Sequence, residues 1–218
     1  MIMDMRHTTA IIIAITAATL LGGVLAYPHL PALVASHWNI TGEANGSMDR
    51  FWGIFMFPVV QIFLLLIYLI FPRIDPLRAN IPAFRKSYDA FWIFLVLFFA
   101  YLETLSIFWN LGFVFNFLHA ILPALSLLIF TIGRTTLHAR QNWFFGIRTP
   151  WTLASETVWN KTHAFGGQLF MYVSWIPLIG LFTEDHRILQ TVILLPLLGS
   201  AATAFIYSYI AYRTEFRA

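Results

Sequence analysis

Six long apolar runs restrict what this chain can fold into. They cover residues 9–26, 52–71, 90–109, 112–132, 166–182 and 188–209. A helix needs about 20 mainly apolar residues to cross the hydrocarbon core of a bilayer. Hydrophobic residues make up 59% of the chain and charged residues 11%, whereas soluble proteins average about 45–50% and about 25%. The sequence therefore predicts an integral membrane protein.

The length of these runs favours helices over membrane strands, in which apolar and polar residues alternate. A helix also satisfies its own backbone hydrogen bonds in lipid. We therefore expect an all-α fold, a polytopic bundle of six transmembrane helices that forms one membrane domain over residues 1–218. The alternative for the first run is a signal peptide cleaved after Ala26, but the run is long for that role.

Basic residues predict the orientation of the bundle, because Lys and Arg collect in the cytoplasmic loops of membrane proteins. With six spans, all 13 Lys and Arg residues except Arg50 and Arg187 fall on one side. Both termini are therefore predicted to be cytoplasmic. The net charge of +3 does not indicate direct nucleic-acid binding, because the basic residues are spread over several short loops.

The outer segment, residues 27–50, is too long for a simple connection and lacks the composition of a disordered loop. Pro28 and Pro31 favour extended backbone, whereas Gly42 and Asn45-Gly46 favour turns. We expect a folded cap on the extracytoplasmic side. Interfacial aromatic residues are expected to anchor it, namely Tyr27, Trp38 and Trp52.

The outer segment also holds side chains of the types that bind metals, His29, His37, Glu43 and Asp49. Their spacing matches no standard zinc pattern. The chain has no cysteine, which excludes disulfides and thiolate ligands. We predict no metal and no cofactor.

The inner segment, residues 134–165, is predicted to be cytoplasmic and to contain a helix. Thr149 and Pro150 suit the N-cap and the first helical position. A weakly apolar stripe then recurs at steps of three and four, at Trp151, Ala154, Val158, Thr162 and Phe165. A polar face carries Glu156, Asn160 and His163. We expect an amphipathic helix at the inner membrane surface that leads into the fifth span, with Trp159 as a further interfacial ring and a turn at Gly146.

Two interpretations of the inner segment remain open, a membrane-surface elbow without chemistry and a functional site. Arg148 has Glu156 or a lipid phosphate as its expected partner. Ser155 and His163 lie on different helical faces, which argues against a local nucleophile–base pair. We predict that the protein is not an enzyme.

Ionisable residues inside a span are costly and are functional candidates for that reason. Glu103 lies in the middle of the third span, and His119 lies in the fourth. A Glu103–His119 pair lining a polar interior would suit a small proton-coupled transporter. The alternative is interhelical hydrogen bonding that only holds the bundle together, at about 0.6 kcal/mol per bond.

The stretch NWFFGIRTPWTLASETVWNKTHAFGG, residues 142–167, resembles the signature of the SdpI family of bacterial membrane proteins. Its candidate functional residues are Asn142, Gly146, Arg148, Pro150, Trp151, Glu156, Trp159, Asn160 and His163. The outer segment resembles a domain of unknown function that often accompanies this signature. Its recurring elements, and the candidates they supply, are Pro28, Pro31, His37, Trp38 and Asp49.

This resemblance implies a function in the plasma membrane of a prokaryote. It implies immunity to a secreted peptide toxin, which would meet the outer side of the protein. It also implies signalling, in which an ArsR-type transcriptional repressor is held at the cytoplasmic side. The lipid bilayer is the remaining expected partner, and the small transporter is the alternative function.

Overall fold

The structure, a computed structural model, describes residues 5–113 and 115–216. Two of our predictions reach outside these ranges, the positive charge of Arg217 and the placement of Val114 in the fourth span. Within the described ranges, six helical stretches are long and apolar enough to cross a membrane. The predicted bundle of six apolar helices is confirmed, and its orientation in the membrane stays a prediction.

The helices follow the apolar runs, with differences at their ends. The helices are α1 Met5–Ala26, α2 Arg50–Ile74, α3 Arg85–Asn110, α4 Phe117–His138, α5 Pro150–Ala154, α6 Glu156–Val173, α7 His186–Leu194 and α8 Ser200–Glu215. Short 3-10 turns cover Tyr27–His29, Arg78–Phe84 and Ile176–Phe182. The fourth helix begins at Phe117 rather than at residue 112, because the Asn116 side chain caps it by accepting a hydrogen bond from the His119 N–H.

The sixth span is divided into α7 and α8 by a π-helical turn, Leu195–Gly199, that contains Pro196. Proline lacks the N–H that a continuous helix needs and clashes with the preceding turn. The π-turn absorbs this local disruption while the chain continues in the same span.

The bundle is built from two groups of helices. The first three helices pack against one another, α4 packs on α6, α6 packs on α8, and the contact between α3 and α4 joins the groups. The crossing of α4 and α6 is close. A Cβ added to Gly133 would lie 2.7 Å from the Gly167 carbonyl oxygen, and one added to Gly167 would lie 2.7 Å from the Leu137 nitrogen. Small residues allow this approach of two backbones.

The outer segment forms an antiparallel β-hairpin, which the all-α prediction did not contain. Strand β1, Leu33–Trp38, pairs with β2, Ala44–Asp49, so that Val34 opposes Met48. The register shifts on both sides of His37. The turn is organised by Asn39, whose Oδ1 accepts hydrogen bonds from the N–H groups of Thr41 and Glu43.

Two asparagines hold the hairpin on the bundle. The Asn110 side chain accepts from the Ala35 N–H at 2.7 Å and donates to the Ala35 carbonyl at 3.1 Å. The Asn116 side chain donates to the Thr41 carbonyl at 3.1 Å. Trp38 stacks on Phe117 with ring centroids 3.6 Å apart. Trp38 thus packs on α4, and its expected role as an interfacial anchor stays a prediction. We call this end of the bundle the hairpin end.

The inner segment lies at the opposite end, the basic end, beside the connection between α2 and α3. The buried Asp75 side chain joins these parts, since its carboxylate accepts hydrogen bonds from the N–H groups of Leu77 and Trp143. The Asn80 side chain donates to the Gln141 carbonyl at 2.9 Å. Two connections that are distant in sequence are thus joined into one surface.

Because the chain has no cysteine, single cysteines report the orientation directly. Ser47 lies at the hairpin end and Ala79 at the basic end, and both are exposed. We predict that a membrane-impermeant maleimide labels Ser47→Cys in intact cells, whereas Ala79→Cys is labelled only after permeabilisation, because basic loops stay in the cytoplasm. The reverse labelling pattern would show that the orientation is wrong.

Candidate functional site

Asn142 organises the first turn of the inner segment. This buried side chain donates to the carbonyls of Arg140 and Phe145 at 2.8 and 2.9 Å. Its Oδ1 accepts from the N–H groups of Phe144 and Phe145 at 3.0 and 2.6 Å. One amide thus replaces the backbone hydrogen bonds that an irregular buried loop lacks. The role of Asn142 is to shape the loop.

His163 ties this loop to α6. Its Nε2 accepts a hydrogen bond from the Ile147 N–H at 3.0 Å, and its Nδ1 donates to the Trp159 carbonyl at 2.9 Å. An Nε2 that accepts from an amide carries no proton, so the ring is neutral with its proton on Nδ1. The His163 side chain is 1% exposed and stacks on Trp159 with centroids 3.9 Å apart. We refer to Gly146, Ile147, Trp159 and His163 as the His163 cluster.

Gly146 allows the loop to come this close to the imidazole. Its φ of +107° lies in the left-handed region, which side chains rarely adopt. A Cβ at this position would lie 2.4 Å from the His163 Nε2 and 3.4 Å from the Trp159 ring. The predicted turn is present. The absence of a side chain at Gly146 allows both the positive φ and the close approach to His163.

Trp159 lies in the protein core and not at the lipid interface, which corrects the sequence prediction. It is 0% exposed, and its indole N–H donates to the Ala139 carbonyl at 2.9 Å. It belongs to a hydrophobic cluster with Tyr88 and Trp92 of α3. His163 is likewise on the buried face of α6, whereas Asn160 and Glu156 are exposed. The face assigned as polar is therefore split between the core and the surface.

The predicted helix from Pro150 is divided into α5 and α6. Thr149 caps α5 in a capping box with Thr152, and Pro150 follows it, as predicted. Ser155 then has extended backbone and caps α6, because its Oγ accepts from the Val158 N–H. Contacts with α8 hold this break in place.

Three contacts join α5 and the break to α8. The Thr149 hydroxyl donates to the Ser208 Oγ at 3.0 Å, and the Ser155 hydroxyl donates to Glu215 at 2.8 Å. Trp151 packs on the rings of Phe205 and Tyr209. Ser155 and His163 therefore have separate partners, and they do not form a nucleophile–base pair.

Arg148 is exposed and donates to the Trp143 carbonyl at 2.9 Å. In the described part of the chain, no ion pair joins it to Glu156. Its other expected partner, a lipid phosphate, stays a prediction. The candidates of the inner segment fall into two sets. Asn142, Gly146, Trp151, Trp159 and His163 hold the segment together, whereas Arg148, Glu156 and Asn160 face outward.

The predicted Glu103–His119 pair is not formed. His119 lies in the first turn of α4, where its Nε2 donates to the Thr183 carbonyl at 3.2 Å and lies 3.9 Å from a Glu184 oxygen. Glu103 is 1% exposed, and among the described residues neither of its carboxylate oxygens has a hydrogen-bond partner. It packs against α1 at Gly23. Glu103 faces α1, whereas His119 reaches the connection before α7. This arrangement does not favour the proton-coupled transporter.

The candidates of the outer segment have structural roles in the hairpin. Asp49 caps α2 by accepting from the Phe51 N–H at 2.8 Å. His37 contacts the Asn45 side chain through its Nδ1, and Trp38 packs on α4. Pro28 lies in the 3-10 turn after α1, and Pro31 is exposed just before β1.

Sequence reasoning missed Asp75, which links the inner segment to the connection after α2. The only local signal was an acidic residue among the basic residues that follow the second span. Its main partner, the Trp143 N–H, is 68 residues away. A single sequence does not indicate such a pairing.

Comparison with known proteins confirms the resemblance seen in the sequence. Residues 138–210 match the SdpI/YfhL protein family, and residues 14–62 match a domain of unknown function, DUF1648. The chain is 26% identical over 198 residues to the immunity protein SdpI of Bacillus subtilis (strain 168). That alignment covers 90% of this chain and 93% of the relative. No solved structure matches the chain significantly.

Gly146 and Gly112 form a matched pair that tests the His163 cluster. Both have positive φ, but a Cβ at Gly112 would meet nothing within 4 Å. We predict that Gly112→Ala costs about 1–2 kcal/mol of unfolding free energy through its backbone alone. Gly146→Ala should cost about 1–3 kcal/mol more, because the methyl group overlaps His163. Unfolding of the two purified variants in the same detergent measures both losses of unfolding free energy. Equal losses would exclude a role for the contact between Gly146 and His163.

Proposed function

Because the chain is a membrane protein with an SdpI-type signature, we propose that it gives a bacterial cell immunity to a secreted antimicrobial peptide. The observation that carries this proposal is its nearly end-to-end alignment with a protein named for immunity. The alignment spans most of the hairpin end, the bundle and the basic end together, so it supports a shared role for the whole chain rather than for one motif.

The hairpin end is the proposed site of contact with the toxin. With basic loops in the cytoplasm, the hairpin faces the side from which a secreted peptide arrives. Large apolar side chains are exposed here, including Leu33, Trp52 and Phe113 at 65%, 60% and 57%. Exposed apolar residues on a rigid frame suit binding of an apolar or amphipathic peptide. The hydrogen bonds of Asn110 and Asn116 provide that frame.

The basic end is the proposed site of signalling to a cytoplasmic repressor. The outward-facing set of Arg148, Glu156 and Asn160 offers both charges and an amide at the exposed surface of the inner segment. Trp159 and His163 are too deeply buried for a partner to touch. They would position the docking residues, and a change at the His163 cluster would alter that position.

Immunity is tested by expression in a toxin-sensitive bacterium that lacks an immunity gene of its own. We expect the wild-type protein to raise the inhibitory concentration of at least one secreted peptide toxin several-fold. Asn110→Ala/Asn116→Ala should lose this protection at equal membrane abundance, because each lost hydrogen bond costs about 0.5–1.5 kcal/mol and releases the hairpin.

Asn160→Ala is the matched control, since this asparagine is exposed at the opposite end. It should protect as well as the wild type. The immunity proposal would be disproved if cells with verified wild-type protein were as sensitive as cells with an empty vector to every secreted peptide toxin tested. Full protection by the double variant would disprove only the role of the hairpin.

The same cells test signalling when they carry a fluorescent ArsR-type repressor. We expect toxin to move the repressor to the membrane in wild-type cells and not in Arg148→Gln/Glu156→Gln cells, which lose both charges of the docking set. Protection should be unchanged in that variant. A repressor that stays diffuse with the wild-type protein would contradict the signalling half of the proposal while leaving immunity intact.

A further inference from the structure

A cavity of about 790 Å³ opens at the basic end, between the start of α3 and the end of α4. Basic side chains dominate its lining, with Arg85, Lys86, Arg134 and Arg140. None of the acidic residues in the described ranges lines it. The volume is far larger than the roughly 30 Å³ that one water occupies in the liquid. A space of this size surrounded by one sign of charge calls for a counter-ion.

The four cations differ in whether the protein already neutralises them. Arg85 is committed to the fold, because its Nε donates to Asp89 at 2.6 Å and its guanidinium also bonds the Tyr68 hydroxyl. In contrast, Lys86, Arg134 and Arg140 make no side-chain hydrogen bond or ion pair with any described residue. Three uncompensated charges therefore surround one cavity.

The tendency of Lys and Arg to collect in cytoplasmic loops explains why this end is basic. It does not explain why several of these residues face the same cavity. Other arginines of the same end donate to backbone carbonyls, Arg73 to Leu69, Arg78 to Arg73 and Arg148 to Trp143. Of the described cations at this end without a side-chain partner, Lys86, Arg134 and Arg140 line the cavity, and Lys161 lies outside it. Like charges that face a shared cavity repel one another unless an anion binds between them.

The remaining lining groups suit an anion with several oxygens. Lys86 and Ser87 lie in the first turn of α3, which has no side-chain cap, so the positive end of this long helix faces the cavity. Asn160 contributes an exposed amide from α6. Apolar residues, Phe84 and Leu137 among them, complete the wall.

We propose that this cavity binds a phosphate group, and that the group is the headgroup of an anionic phospholipid. Lys86 stands at the start of the third span and Arg134 near the end of the fourth, so the cavity lies where the helices leave the bilayer. Basic pockets between transmembrane helices on the cytoplasmic side recognise anionic headgroups in this way. Inorganic phosphate presents the same oxygens to the cavity, and the two arms of the experiment distinguish it from a lipid headgroup.

The test measures binding to purified full-length protein in neutral detergent, without any toxin or repressor, so it is independent of the proposed immunity. Phosphatidylglycerol is titrated in one arm by native mass spectrometry, and inorganic phosphate in the other by its effect on thermal unfolding. We expect one tightly held phosphatidylglycerol. Arg134→Gln/Arg140→Gln should bind it about 30-fold more weakly, since two surface charges are removed.

The matched control is Arg78→Gln/Lys161→Gln, which removes two charges from the same end outside the cavity lining. It should bind as the wild type does. Arg134→Lys/Arg140→Lys keeps the charge and should retain most of the affinity, which separates loss of binding from loss of folding.

The two arms assign the source of the phosphate. Stabilisation by inorganic phosphate that the cavity variant loses, without bound lipid, supports the phosphate site and assigns it to a free anion. If the cavity variant and the control variant lost the same affinity for the anion, the loss would come from general surface charge, and the proposal would be overturned. Binding of neither anion would overturn it as well.

Discussion

The hydrogen bond from the Ile147 N–H to His163 joins the connection between the fourth and fifth helices to the bundle. It requires an imidazole on the buried face of α6 and a residue without a side chain at Gly146. The same ring stacks on Trp159, whose indole N–H reaches the end of α4. One neutral side chain therefore fixes the loop, the start of α6 and the end of α4 relative to one another.

The position of this cluster determines what the basic end can offer to other molecules. With Trp159 and His163 in the core, the polar groups left outside are Arg148, Glu156 and Asn160 of the inner segment and the cations of the cavity, whose wall includes Asn160. The hairpin end is separate and depends on Asn110 and Asn116. The bundle thus carries two surfaces at opposite ends, each held by a few polar contacts, and the proposed function assigns a different partner to each.

The sequence predicted the spans well because the thickness of a bilayer sets a strong and local requirement on length and hydrophobicity. It also predicted the Thr149–Pro150 helix start, since caps are local. The hairpin was missed because β2, Ala-Asn-Gly-Ser-Met-Asp, has little β propensity and forms only by pairing with β1. The asparagines that hold β1 and the turn on the bundle are about 75 residues away in sequence. The sequence did not predict that His163 is buried, because its spacing along the helix placed it on the polar face. Its hydrogen-bond partner, the Ile147 N–H, is brought close to it only by the fold of the loop.

The protonation state of His163 reports whether its ring accepts the hydrogen bond from the Ile147 N–H. Nitrogen-15 NMR of histidine-labelled protein at neutral pH, with the signal assigned from a His163→Gln variant, reports which ring nitrogen carries hydrogen. We predict a neutral ring protonated on Nδ1, with an Nε2 that accepts a hydrogen bond. A proton on Nε2, in either the neutral or the charged ring, would contradict it, because the Ile147 N–H would then have no acceptor there.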